Sequence, residues 1–158
     1  MRNAARKMRG GSGMNEGRVE LEWRIPSRIG CEKRVMRKVA AAVAGHCPGE
    51  ERSEEMATAV AEACLNAIEH GNRLVSRLPV TVRLTVDSEK YRIRVFDQGS
   101  AVPEVRPDSL TLAERWQAER PRGWGLRIID SLADRFAFAS VDGGVCLEMI
   151  FFKRGVEP

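Results

Sequence analysis

The sequence predicts an α+β two-layer sandwich: a mixed, mostly antiparallel sheet covered on one face by three helices. Three observations carry this. Short segments alternate apolar and polar residues with the period of half-buried strands, other segments repeat apolar residues at helical spacing, and turn residues punctuate them. The resulting order is strand, helix, helix, strand, strand, long loop, helix, strand, strand, which packs as helices on one sheet.

The elements follow in turn. Met1 to Gly13 is basic, glycine-rich and aperiodic, so a disordered tail is expected over 1–18 and a single domain over 19–155, with Met14 an alternative start. Val19, Leu21, Trp23 and Ile25 alternate with Glu20, Glu22 and Arg24, a strand that Pro26 ends. Val35, Val39, Ala42 and Val43 mark a helix over Gly30 to Ala44, stopped by Gly45 and Pro48. Ser53 is the expected N-cap of the next helix, which runs to Gly71 and Asn72. Strands over Val80 to Asp87 and Tyr91 to Asp97 form a hairpin.

From Gln98 to Arg122, three prolines and many charges preclude one continuous element. A loop that long in a compact domain needs a reason, and a mobile lid over a site is one of the few good ones. Leu110 to Gln117 is the candidate for a short helix within it. Leu126 to Leu132 forms the third helix, and strands over Phe136 to Ser140 and Gly144 to Phe152 turn around Asp142 and Gly143.

Composition narrows the function classes. The 158 residues suffice for a core without staples, and the apolar content of 43% fits a globular chain. No apolar run reaches membrane-spanning length and no signal-peptide core is present, so a cytoplasmic protein without a membrane partner is expected. Cys31, Cys47, Cys64 and Cys146 are scattered, which favours buried thiols over a zinc site. The net charge of +4 and pI near 9.1 stem from Arg2, Arg6, Lys7 and Arg9, and the rest is balanced, so no direct nucleic-acid contact is expected.

The stretch EACLNAIEHGN, Glu62 to Asn72, concentrates the chemistry. Glu62, Asn66 and His70 recur every four residues and so share one helical stripe, beside an apolar stripe of Ala59, Val60, Ala63, Ala67 and Ile68. Singly, each polar residue is ordinary: a solvated carboxylate, a surface amide, a partner for the helix C-terminus. Asp97 at a strand end before Gly99 can accept a hydrogen bond from an exocyclic amine, or simply form a turn. Gly123 and Gly125 at a helix N-terminus offer amides to phosphate, or merely a flexible approach.

Together these segments resemble a known family. E-x-x-x-N-A-x-x-H-G at Glu62 to Gly71, D-x-G at Asp97 to Gly99 and G-x-G-L at Gly123 to Leu126 are similar to the N, G1 and G2 boxes of the GHKL ATPases, the Bergerat-fold superfamily. Within it, the run GWGLRIIDSLAD resembles the anti-sigma factor serine/threonine kinases. The resemblance covers Val19 to Phe152 and implies a Bergerat-type sandwich with an ATP lid.

It also implies ATP and Mg2+ as cofactors. Glu62 would be the general base and Asn66 the magnesium ligand. The nucleotide-binding set would be Asn66, His70, Asp97, Gly99, Ala101, Arg122, Gly123, Trp124, Gly125 and Leu126, with Asp97 reading the adenine N6 amine and Arg122, or else Arg120, near the γ-phosphate. The implied partners are a sigma factor and a STAS-type anti-anti-sigma protein whose serine is phosphorylated, and a homodimer is among the implied assemblies. Two departures stand out: Ser100 and Ala101 replace the end of D-x-G-x-G, and Val145 and Cys146 follow Gly144 where the family often has threonine. They point to weaker affinity or looser nucleotide choice. A partner-switching module without kinase activity, with or without nucleotide, is the alternative. The detached ATP domain of a histidine kinase is a third reading, disfavoured because no dimerisation helix precedes Val19.

Overall fold

The computed structural model describes residues 17–47, 52–100, 102 and 124–156. Five strands form one sheet in the order β1-β2-β3-β5-β4: β1 Val19–Pro26, β2 Pro79–Val86, β3 Lys90–Asp97, β4 Arg135–Val141 and β5 Gly144–Phe152. All four pairings are antiparallel, so the expected mixed component is missing among the described residues. Each neighbour in the sheet except β5 beside β3 follows its partner in sequence or, for β1 and β2, is separated only by helices. Between β3 and β4 the chain therefore passes β5, and the described part of that connection contains the third helix.

Register follows from the alternation. Leu21, Leu84, Ile93, Met149 and Phe136 stand opposite one another across all five strands. A slip of one residue would turn every one of these side chains to the other face. That inner face carries the core with Trp23, Val82, Val95, Tyr91 and Phe151, while Glu22, Arg83, Arg94 and Glu148 line the outer face. Arg83 donates to Glu22 at 2.6 Å.

Three α-helices cover the inner face: α1 Glu32–His46, α2 Ser53–Asn66 and α3 Trp124–Leu132. From α1, Val35, Val39 and Val43 are fully buried at intervals of four. From α2 and its extension, the stripe read from the sequence, Ala59, Val60, Ala63, Ala67 and Ile68, is buried, together with Met56 and Cys64, which that reading did not include. Small residues there let α2 sit close to the sheet between α1 and α3. Ile129 is the buried anchor of α3.

Boundaries differ in instructive ways. Gly30 lies outside α1 at φ +99°, and the Glu32 carboxylate accepts its N–H at 2.6 Å, so the helix begins two residues later than expected. Ser53 is the first helical residue rather than the cap: Arg52 precedes it and no side chain caps the end. Asp87 leaves β2 and instead accepts the N–H groups of Glu89 and Lys90 at 2.8 and 2.9 Å, fixing the hairpin. All four cysteines are free thiols, with Cys47 only half-buried. Among the described residues no helix is long and apolar enough to cross a membrane. The expected basic tail through residue 16, most of the lid with its short helix, and Ala101, Arg120, Arg122 and Gly123 lie outside the described residues.

Candidate functional site

Helix α2 does not stay α-helical through the polar stripe. After Asn66 the backbone widens into a π-helical segment, Ala67–Gly71, closed by the Asn72 N–H on the Ala67 carbonyl at 2.8 Å. Such insertions shift the residues beyond them around the axis and concentrate at functional sites. Glu62 and Asn66 keep their α-helical relation one turn apart, both half-buried, but His70 falls in the π segment and is exposed. The stripe of three predicted from four-residue spacing is therefore a stripe of two, and Gly71 takes the inward place.

What Gly71 faces is Asp97. A Cβ on Gly71 would overlap the Asp97 carboxylate, one on Gly99 would lie 2.7 Å from its Oδ1, and one on Gly144 would strike the Asp97 carbonyl oxygen. Gly71 is not at positive φ, so space rather than torsion demands glycine there. Asp97 thus sits in a cradle of three glycines contributed by the π segment, its own loop and β5. Its Oδ1 accepts the Gly99 N–H at 2.7 Å. Burial pushes its carboxyl above the ordinary value, with that hydrogen bond opposing. The β3 strand delivers it: Asp97 is the last residue of the strand, opposite Val145.

A second cluster forms at the other end of the segment. Gly125, in the first turn of α3, lies so near Glu62 that a Cβ there would be 3.0 Å from the Glu62 Oε2. Burial raises the Glu62 carboxyl, and the like charges of Glu32 and Glu69 add to it. Glu32 is itself a buried carboxylate, 5% exposed, on a helix that no sequence motif linked to the site. Leu126 packs against the core, so its amide, not its side chain, is what it can offer a ligand.

The far end of α3 is fastened by Arg52. Its guanidinium donates to Asp134 at 2.6 Å, to the Leu132 carbonyl at 2.9 Å, to the Phe152 carbonyl at 3.1 Å and to Glu55 at 3.0 Å, and it lies over the Phe151 ring. A cation on the last carbonyls also suits the negative end of the helix. Helices α2 and α3 therefore run antiparallel, Arg52 meeting Leu132 and Glu62 meeting Gly125. Sequence reasoning missed Arg52 because all its partners but Glu55 lie 80–100 positions away.

Of the residues expected in the site, the structure brings Asp97 together with Gly99, and Glu62 with Gly125. It leaves the His70 side chain at the surface. Asn72, read from sequence only as a helix stop, is 1% exposed and hydrogen-bonded on both sides of its amide. An asparagine directly after the histidine-glycine pair is the only signal for it.

Two groups of known proteins compare with this geometry. A search of curated proteins found no match. Among solved structures, the RsbU and RsbW domains of Rv1364c from Mycobacterium tuberculosis superpose with a TM-score of 0.61 at 18% identity, over 87% of this chain and 33% of that one. That likeness is one of fold, and the chain spans a third of the other's length. The family model of the histidine kinase-like ATPase domain matches residues 25–151, from the end of β1 into β5 and across both clusters. The chain belongs to the histidine kinase-like ATPase domain family.

Proposed function

We propose that the chain is an ATP-dependent anti-sigma factor serine/threonine kinase, holding a sigma factor and phosphorylating a serine on a STAS-type anti-anti-sigma protein. The observation that carries this is the pairing of the glycine cradle around Asp97 with a separate carboxylate, Glu62, along one helical element. Gly71 and Glu62 are nine residues apart, roughly 13 Å at the usual helical rise. A nucleotide lying along the segment would have its base at Asp97 and its phosphates at Glu62 and the start of α3.

The residues fit that ligand. The glycine cradle keeps side chains from closing over the Asp97 carboxylate, and a carboxylate accepts a hydrogen bond from an adenine amine. A helix leaves its first N–H groups without intrahelical partners, so the first-turn amides of α3, at Trp124, Gly125 and Leu126, would favour phosphate oxygens. ATP would supply the transferable phosphoryl group, and Mg2+ would offset the negative charge of the phosphates. Asn66, one turn from Glu62, is the residue proposed to hold the ion, and Arg122, Gly123 and Ala101 complete the proposed set. Exposed His70 is the weakest member.

Glu62 does the proton work in this reading. Its raised carboxyl, shared between burial and two acidic neighbours, is a better base at the pH of the cell than an ordinary exposed glutamate, and it would take the proton of the acceptor serine. A pure binding module needs no such group. The test is transfer of labelled γ-phosphate to a serine of a STAS-domain partner by wild type and Glu62→Ala. Transfer by wild type alone supports the kinase; nucleotide binding without transfer by either supports the partner-switching module.

A further inference from the structure

Asn72 occupies a position that the reading above leaves without a role. Its side chain is a crossroads. Nδ2 donates to the Ser27 Oγ at 2.9 Å, the Leu78 carbonyl at 3.1 Å and the Pro79 carbonyl at 3.2 Å, while Oδ1 accepts the Gln98 N–H at 2.7 Å. Ser27 in turn donates to the Leu78 carbonyl at 2.6 Å. Both faces of the amide are thus used, in a residue that is 1% exposed.

The backbone around it is built to put it there. The π segment delivers Asn72, and the next two residues, Arg73 and Leu74, take the left-handed conformation at φ +50° and +60°. Neither is glycine, and Leu74 is 53% exposed, so its strain is not repaid by burial. The turn closes the helix end, with the Leu74 N–H on the Ile68 carbonyl at 2.8 Å, and Asn72 stands at its start beside Gln98.

Gln98 is the residue after Asp97. Its peptide link to Asp97 is held from two sides: the Asp97 carbonyl lies where a Cβ on Gly144 would be, and the Gln98 N–H is bound by Asn72. One residue further, Gly99 donates to the Asp97 carboxylate. The donors of Asn72 anchor it to the β1 exit and β2 entry, and its carbonyl oxygen then sets the plane from which the Asp97 side chain departs.

We propose that Asn72 is a specificity-determining positioning residue: it fixes the peptide after Asp97 so that the carboxylate meets an adenine amine and disfavours a purine with a carbonyl at that position. This rests on the nucleotide-binding reading.

The experiment is titration of ATP and GTP into wild type, Asn72→Ala and Ser27→Ala, with thermal unfolding of each. Ser27→Ala removes an anchor of Asn72 but leaves the bond to Gln98. Asn72→Ala should lower the ATP-over-GTP preference about tenfold, a readout that loss of stability alone does not move, while Ser27→Ala melts earlier and keeps the preference. An unchanged preference in Asn72→Ala, or an equal loss in Ser27→Ala, overturns the proposal. Should Asn72→Ala fail to fold, amide hydrogen exchange of wild type decides: protection at Gln98 without nucleotide supports the bond, and fast exchange there overturns it. A wild type that binds neither nucleotide removes the nucleotide reading, and the selectivity role with it.

Discussion

Replacing Gly71 by alanine tests whether the glycine cradle exists to leave Asp97 free for a ligand. The added Cβ would overlap Cγ and sit 2.5–2.6 Å from the two carboxylate oxygens, so the side chain must swing away. Leaving its rotamer costs about 0.5–1.5 kcal/mol. The Gly99 hydrogen bond to the carboxylate is lost with it, a contact worth about 1.5–3 kcal/mol when buried and less here, where water can replace it. Alanine returns roughly 0.5–1 kcal/mol of backbone entropy. Folding stability should therefore fall by only about 1 kcal/mol. Affinity for ATP should fall much more, because a misdirected carboxylate forfeits a charged hydrogen bond of about 1.5–3 kcal/mol, which is about 10- to 100-fold. Urea unfolding and calorimetric titration measure the two quantities. Gly45→Ala is the control: its Cβ meets nothing within 4 Å on α1, so the variant should gain a few tenths to about 1 kcal/mol and bind as wild type. ATP affinity unchanged in Gly71→Ala would refute the cradle.

Other consequences follow from the same geometry. Glu62→Gln should bind ATP within about twofold of wild type yet transfer phosphate about 10²-fold more slowly; equal rates in a single-turnover assay would reduce Glu62 to a surface carboxylate. A base must be deprotonated, so the rate of wild type should rise with pH through a Glu62 value above the ordinary 4.5, and Glu32→Gln, which removes a like charge, should move that limb to lower pH. Arg52→Ala should cost roughly 1–2 kcal/mol in urea unfolding, since it strips several charge-assisted bonds from a guanidinium that water partly screens. Burial pushes the Asp134 carboxyl up but Arg52 and the Phe152 N–H outweigh it, leaving it below its ordinary 3.8. Its stabilisation is thus complete above that value and lost as pH falls through the folded one, so the variant should show a flatter stability curve in acid.

The strands and helices were legible because each buries one face, and the period of that face is written in the residues: Val35, Val39 and Val43 for α1, Leu84 and Ile93 for the central strands. Asp97 and Glu62 stood out as candidates because their motifs combine chemistry with spacing, and the structure places each beside a glycine of its own motif or of another, Gly99 and Gly125. The misreadings share a cause. The four-residue rule carries His70 onto the stripe only if the helix stays α-helical, and a π insertion depends on what the chain must reach afterwards, here the Asn72 contact with Gln98. Ser53 looked like a cap because serine is good at it, but Arg52 governs that end through partners on α3 and β5. Long-range polar contacts leave no period in a sequence. The antiparallel pairing of β5 with β3, too, joins residues about 50–60 positions apart and so leaves no local pattern.

The most direct test of the central claim is a thermal scan with and without Mg-ATP, for wild type and Asp97→Asn side by side. At ATP a hundredfold above its dissociation constant, linkage adds about 2.7 kcal/mol of stability, a rise of several degrees in Tm for a domain of this size. The account predicts that rise in wild type and its loss in Asp97→Asn, whose amide presents the wrong group to the adenine amine. No rise in wild type, or an equal rise in both proteins, would contradict it.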